Sequence, residues 1–220
     1  MRRSCLLVLA LSALPAGVAV AQRIEFAATA GYTVPTQEQF DRAIVVMDRG
    51  IPIWGHYVGR QEAALVLGAR AALWANQRIG FELVGRTYAS SRTVTLTPPF
   101  APAARGPATV VSAAARLAVV VQHSGQREIR VSFGPEVTFF SGRAYDSPPA
   151  PSVALSPGPT WGGSAGITMQ YPVARRVSIR AALDASLFRV RLTALSAADS
   201  TRTPLQLDLA PSLGVVIRTH

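Results

Sequence analysis

Apolar residues alternate with polar or small ones along nearly the whole chain, and this alternation constrains the fold more than any other feature. A period of two residues is the pattern of half-buried β-strands. It predicts eight strands, over residues 23–34, 62–74, 79–96, 107–122, 128–145, 160–171, 176–194 and 204–218. No stretch beyond the N-terminal segment approaches the ~18 consecutive apolar residues of a membrane-spanning helix, so we expect none.

The connections between these strands alternate in length. Tight turns ("ANQR", "HSGQ" and "PVAR") follow strands two, four and six, and longer segments follow the others. This alternation is typical of an up-and-down barrel whose two ends face different surroundings. The first long segment contains "RAIVVMDRGIPIW", which fits either a helical turn or a hairpin turning at Asp48-Arg49-Gly50. We expect the arms of such a hairpin to be too short to add membrane-spanning strands, which need about 9 to 11 residues.

The two faces of the predicted strands differ in charge. One face is an uninterrupted apolar row on strand after strand. The other carries charged residues of both signs spaced by glycine and alanine, namely Arg70, Arg86, Arg116, Arg130, Arg180, Glu25, Glu62, Glu82, Glu136, Asp184 and Asp208. Buried charges persist only when they are paired, whereas a water-facing surface needs neither balance nor small side chains. We therefore predict an all-β, eight-stranded antiparallel up-and-down transmembrane β-barrel with a structural charge network inside.

Aromatic residues and prolines refine this prediction. Trp161 and Tyr171 bracket the apolar row of strand six, about 25 Å apart for a tilted strand, which suits aromatic rims at two membrane interfaces. Pro135 and Pro211 fall inside strands five and eight, where each removes a hydrogen bond of the ladder. We expect β-bulges at these prolines, aided by the nearby Gly134 and Gly214.

The N-terminal segment has the layout of a secretory signal peptide. Arg2 and Arg3 precede an apolar run, and Ala19-Val20-Ala21 forms a small-residue site, so we expect cleavage after Ala21 and one domain over 22–220. Cys5, the only cysteine, would leave with residues 1–21, which excludes disulfides and thiolate metal sites. All 22 basic residues are arginines and they are scattered along an exported chain, which favours acidic lipid over nucleic acid as the counter-charge.

The pattern as a whole resembles a known family. It runs from "RIEFAATAGYTVP" through "ALVLGARAALWANQRIGFELVG" and "REIRVSFGPEVTFF" to "LQLDLAPSLGVVIRTH", and is similar to the small outer-membrane β-barrels of the OmpA and OmpX type. The resemblance implies residence in a bacterial outer membrane, contact with outer-membrane lipid and lipopolysaccharide, and insertion by the barrel-assembly machinery. Such barrels usually end on an aromatic residue, whereas this chain ends "GVVIRTH", with Ile217 as its last apolar-face residue.

The sequence offers few candidates for chemistry. His123 and Ser124 lie together in a tight turn, and His56 lies in the first long segment, but neither has a partner at a fixed spacing. We expect Glu82 and Glu136 to pair with Arg86 or Arg130. No phosphate-binding loop, metal-ligand cluster or calcium-loop pattern occurs. We therefore expect no catalytic residues, cofactor or metal.

We expect a structural or surface-interaction role without an open pore, because an eight-stranded barrel is filled by side chains. Arginines of the long segments are predicted to contact lipopolysaccharide or glycans, namely Arg42, Arg49, Arg60, Arg92, Arg105, Arg143, Arg189, Arg191 and Arg202. Two alternatives stay open: a soluble periplasmic lipocalin-like barrel with reversed faces carrying a small apolar ligand, and a lipid A-modifying barrel enzyme that would use His56. Arg180 and Asp184 share one face four residues apart, so we expect their ionic partners on neighbouring strands.

Overall fold

The computed structural model describes residues 23–36, 40–48, 50–97, 104–142, 154–155, 159–189, 192–193, 201–202 and 205–219. The predicted signal peptide, residues 1–21, lies outside this set. Within the described ranges, no helix has the length and apolar character needed to cross a membrane. The strands are β1 (Arg23–Pro35), β2 (Phe40–Asp48), β3 (Ile51–Gln61), β4 (Ala64–Trp74), β5 (Ile79–Thr97), β6 (Ala104–Ser124), β7 (Arg127–Gly142), β8 (Ala154–Leu155), β9 (Thr160–Pro172), β10 (Val177–Arg189), β11 (Leu192–Thr193), β12 (Thr201–Arg202) and β13 (Leu205–Thr219).

Eight long strands form a closed barrel in which each strand pairs antiparallel with the strands on its two sides. They are, in order around the barrel, β1, β4, β5, β6, β7, β9, β10 and β13. The last strand returns to the first, with Ala30 of β1 opposite Leu213 of β13. This confirms the predicted eight-stranded up-and-down barrel. The largest difference in strand ends is at β10, which stops at Arg189 where the prediction ran to 194, and Leu192–Thr193 pairs with β8 instead.

The first long segment folds as a hairpin, which decides between the two alternatives left by the sequence. β2 pairs with β3 around Gly50, whose φ of 82° suits a tight turn that glycine adopts without strain. The arms have 9 and 11 residues, which is long enough to span a membrane, so the predicted shortness was wrong. The arms add no strand to the circumference of the barrel. They extend the sheet beyond its loop-side end, because β3 pairs with β5 at residues 92–97, beyond the part of β5 that pairs with β4.

The prolines do not produce bulges, so that expectation was wrong. Along β10 and β13, Leu183 lies opposite Pro211, and the register is unchanged on both sides of the proline. At Pro135 the pairing of β7 with β6 skips two positions and resumes in the same register. Glycines allow the strands to approach closely there: a Cβ on Gly134 would lie 2.0 Å from the carbonyl oxygen of Ala115. The β6–β7 ladder shifts register only between Val120 and Gln122, near the tight turn.

The outer face of the barrel is apolar and the inner face is polar. Alternate residues on every barrel strand leave large apolar side chains exposed, for example Phe26, Leu65, Phe81, Val111, Phe133, Ile167, Ile179 and Leu213. The positions between them bury threonine, serine, glutamine, arginine and carboxylate side chains. Trp161 and Tyr171 are exposed on the outer face, at opposite ends of β9. This arrangement is the reverse of a soluble barrel, which buries its apolar face.

Candidate functional site

The sequence assigned eleven charged residues to the inner face of the barrel. Nine of them are buried, and Arg86 and Glu62 are half-buried. Their contacts divide the interior into three layers along the barrel axis. We call these the floor, at the end with the tight turns (the turn end), the middle layer, and the upper layer, toward the end with the long segments (the loop end).

The middle layer consists of Arg70, Glu82, Arg116, Arg180 and Asp184. Asp184 accepts from two guanidinium groups, those of Arg70 and Arg116, the second with Nη1 2.5 Å from Oδ1. Arg180 Nη2 donates to Glu82 Oε1 at 2.7 Å, and Arg70 Nη1 lies 3.7 Å from Glu82 Oε2. Two hydroxyls also contact this layer: Arg116 Nε donates to Ser164, and Arg180 Nη2 to Thr168, both at 2.9 Å.

These ion pairs cross the lumen, so the prediction of partners on neighbouring strands was wrong. The strands beside β10 are β9 and β13, yet Arg180 of β10 binds Glu82 of β5, four strands away around the barrel. Asp184, also on β10, binds arginines of β4 and β6, each three strands away. An eight-stranded barrel is just wide enough for its side chains to fill. The long arginine side chain therefore reaches the opposite wall.

The floor combines ion pairs with a buried indole. Arg130 donates two hydrogen bonds to Glu25, of 2.5 and 3.0 Å, and its Nε donates to Glu128 at 2.5 Å. The Trp74 ring is almost completely buried, with the guanidinium carbon of Arg130 4.4 Å from the ring centroid and that of Arg23 4.7 Å from it. Such cation–π contacts add attraction on top of the area buried.

Sequence reasoning missed Trp74 and Glu128 as interior residues, although a signal was present. Trp74 has the same parity as the inward Arg70, and Glu128 the same parity as the inward Arg130. Both residues lie next to a predicted turn, where alternation is weakest as evidence. Arg218 was also missed, and its Nε lies 3.1 Å from Glu25 Oε1.

The upper layer has a different composition. Arg86 Nη2 lies 2.6 Å from Glu136 Oε1, and Ser186 accepts from the same nitrogen at 2.5 Å while donating to Glu136 at 2.9 Å. The Tyr88 hydroxyl donates to Asp208 Oδ2 at 3.2 Å. Glu136 thus pairs with Arg86 as predicted, whereas Glu82 and Arg130 have the other partners described above.

A small cavity lies among these upper residues. Its volume is about 10 Å³, and Arg86, Tyr88, Glu136 and Asp208 contribute to its wall. A space of this size holds about one water molecule. Phe140 and Phe188 pack beside it with ring centroids 5.5 Å apart. The carboxylates and arginines described here bind one another.

The two histidine candidates lie at opposite ends of the barrel. His123 is exposed at the turn end, with Nδ1 4.0 Å from Glu128 Oε2. The backbone of His56 lies in β3 opposite Thr97, above the barrel, and its side chain is outside the described set. Glu62 accepts a hydrogen bond from Thr93 at 3.2 Å at the rim of the loop end.

The arginines of the long segments are described unequally. Arg60 and Arg189 are exposed at the loop end. Only the backbone positions are described for Arg42, Arg92, Arg105 and Arg202, and Arg49, Arg143 and Arg191 lie outside the described residues.

Comparison with known proteins identifies the fold alone. The outer membrane protein OprG from Pseudomonas aeruginosa superimposes with a TM-score of 0.65 at 13% identity, covering 91% of this chain and 97% of OprG. Neisserial surface protein A (TM-score 0.48, 10% identity, 87% of this chain and 96% of the neighbour) and the attachment invasion locus protein Ail of Yersinia pestis (0.44, 12%, 89% and 98%) are more distant. No protein-family model matches the chain, and no curated protein does. The fold is that of the small eight-stranded outer-membrane β-barrels, as the sequence pattern predicted.

Proposed function

We propose that this protein is an outer-membrane β-barrel with a closed lumen, serving a structural or surface-interaction role. The observation that carries the proposal is the reversal of the two faces: large apolar side chains are exposed on every barrel strand, while the charges point inward. Water would penalise such an exterior, since large contiguous apolar patches on soluble proteins mark contact with another phase or partner. Lipid hydrocarbon is the medium that suits a continuous apolar belt around a closed barrel.

Membrane location is tested by cell fractionation and by the depth of tryptophan side chains in the bilayer. We expect the protein in the outer-membrane fraction, with gel mobility that changes on boiling. Recovery of a soluble protein with unchanged mobility would contradict the membrane location.

A single-tryptophan variant that keeps Trp161, which is 68% exposed, should be quenched by lipids brominated on their acyl chains. A variant that keeps Trp74 should not be quenched, because that indole is buried in the floor. Equal quenching of the two would contradict the assignment of the faces.

The closed lumen is supported by ion pairs that cross it in the floor and middle layers, and by the hydrogen bond from Arg86 to Ser186 that crosses it in the upper layer. We expect no stepwise conductance in planar bilayers from the purified barrel. We compare this conductance with that of the double variant Arg116→Ala/Arg180→Ala, which removes two long side chains from the middle layer. Steady conductance of the unaltered protein would overturn the proposal of a closed lumen.

The surface role is assigned to the loop end, where the exposed Arg60 and Arg189 lie. Guanidinium groups bind phosphate in a bidentate way, which suits the phosphorylated core of lipopolysaccharide. We expect Arg60→Gln/Arg189→Gln to weaken salt-sensitive binding of lipopolysaccharide. Arg175→Gln/Arg176→Gln, at the turn end, removes the same charge and should leave that binding unchanged; equal losses would argue against a role of the loop end.

A further inference from the structure

Four arginines are exposed at the turn end of the barrel. Arg78 lies in the turn between β4 and β5, Arg127 begins β7 after the next turn, and Arg175 and Arg176 lie in the turn between β9 and β10. Because these three turns are spread around the barrel, the four side chains form a partial ring, which we call the turn-end arginines. The remaining part of the circumference holds the ends of β1 and β13, with the half-buried Arg23 and Arg218.

The turn-end arginines have no acidic partner among the described residues. Among the described side chains, the carboxylates at this end are those of Glu25 and Glu128, which are both buried. They are already bound by Arg23, Arg130 and Arg218. The loop end differs, because the half-buried Glu62 contributes an acidic group at its rim. The described residues of the turn end therefore present positive charge that no described carboxylate compensates.

The turn-end arginines also adjoin the apolar outer face. Ile79 follows Arg78 directly, Val173 lies two positions before Arg175, and both apolar side chains are exposed. The Tyr171 hydroxyl donates to the Gln126 side chain at 2.9 Å, so an aromatic ring with a polar tip marks the border between the two regions. In a membrane, this border lies at the level of the lipid headgroups.

We propose that the turn-end arginines bind the phosphates of acidic phospholipids in the membrane leaflet on that side. The inference rests on the proposed membrane location and adds a lipid class and a leaflet to it. Guanidinium groups recognise phosphate in a bidentate way, and a cluster of cations beside a membrane concentrates anionic lipid. The arrangement favours a lipid over a soluble polyanion because the charges are continuous with a surface that itself requires lipid.

The test uses the full-length mature protein reconstituted into nanodiscs that hold phosphatidylglycerol and phosphatidylcholine in equal amounts. After brief transfer to a mild uncharged detergent, the lipids retained by the barrel are counted by native mass spectrometry. We expect phosphatidylglycerol to exceed phosphatidylcholine at least about threefold at low salt, with the preference falling as salt rises.

The variant Arg78→Gln/Arg127→Gln/Arg175→Gln/Arg176→Gln should reduce this ratio to about one. The control Arg42→Gln/Arg92→Gln/Arg105→Gln/Arg202→Gln removes equal charge from the loop end and should keep the preference. A ratio that is unchanged in the first variant, or lost equally in both, would overturn the proposal. So would binding of soluble polyphosphate by the turn-end arginines without any preference among lipids.

The same samples separate this inference from the proposed function. If the unaltered protein fails to enter nanodiscs and shows no heat-dependent gel mobility, the membrane location itself is wrong. If it enters nanodiscs as a heat-modifiable barrel but retains the two lipids equally, only the lipid preference is wrong.

Discussion

The middle and upper layers of the interior contain the same residue types on the same face of the strands, yet they are coupled differently. In the middle layer, Asp184 is fully buried and holds two guanidinium groups, one of which, that of Arg116, is also fully buried. In the upper layer, Asp208 accepts a hydrogen bond from the uncharged Tyr88 beside a water-sized cavity. The inward position is common to both aspartates, so their difference lies in the partners that the barrel brings to them.

This difference determines what removal of each group should cost. Deleting one member of a buried ion pair leaves the other charge without compensation, which is far more costly than deleting a hydrogen bond to an uncharged group. Three substitutions test this contrast, and a fourth, Gly134→Ala, tests how closely the strands approach beside the middle layer.

Asp184→Asn should have the largest effect, because it leaves Arg70 and Arg116 buried without their shared carboxylate. We expect a loss of about 3–5 kcal/mol in the free energy of unfolding. Urea unfolding in lipid vesicles, followed by the gel mobility of unboiled samples, measures it. A loss below ~1 kcal/mol would show that the middle layer does not depend on this carboxylate.

Gly134→Ala should have the next largest effect, because it tests the close strand approach beside the middle layer. The added methyl group would meet the Ala115 carbonyl oxygen at 2.0 Å, so backbone must move. We expect a cost of about 1–3 kcal/mol in the same unfolding assay. Gly163→Ala is the matched control, since its nearest neighbour would be 4.0 Å away. Equal costs at the two positions would refute a steric origin.

Tyr88→Phe should cost less, because it removes an uncharged donor from the upper layer. Tyr88 links Gln61 and Asp208 through hydrogen bonds of 3.2 Å. We expect a loss of about 0.5–1.5 kcal/mol. If the loss reached that of Asp184→Asn, the two layers would be equally coupled and the contrast would fail.

Asp208→Asn should have the smallest effect, about 0.5 kcal/mol or less, because the amide oxygen still accepts from Tyr88 and no arginine is left unpaired by the change. Unfolding midpoints of this variant and of Asp184→Asn, measured side by side, give the sharpest comparison. A large loss at Asp208 would reveal a charged partner in the upper layer that the described contacts lack.

Much of the barrel could be predicted from the sequence because strand parity is a local property. Alternation alone placed Arg70 of β4 and Asp184 of β10 on the inner face, though 114 residues separate them along the chain. It placed Trp161 on the outer face by the same rule. The rule weakened next to turns, which is why Trp74 and Glu128 were missed.

Backbone irregularities were harder to predict. A proline within a strand removes one hydrogen bond. The local sequence does not determine whether a bulge or an interrupted ladder results. At Pro135 the ladder is interrupted without a bulge, because Gly134 permits the close approach of β6. The course of β2 and β3 likewise depends on the free upper part of β5.

The sequence by itself determined which side chains point into the barrel and which point out, because a pleated strand alternates its side chains whatever its neighbours are. Only the tertiary structure decided which charges meet. Closure of eight strands sets the width of the lumen, and that width lets Arg180 reach Glu82 on the opposite wall rather than a residue on an adjacent strand. The partners of a charge across a barrel are fixed by the closed circumference, which no local pattern encodes.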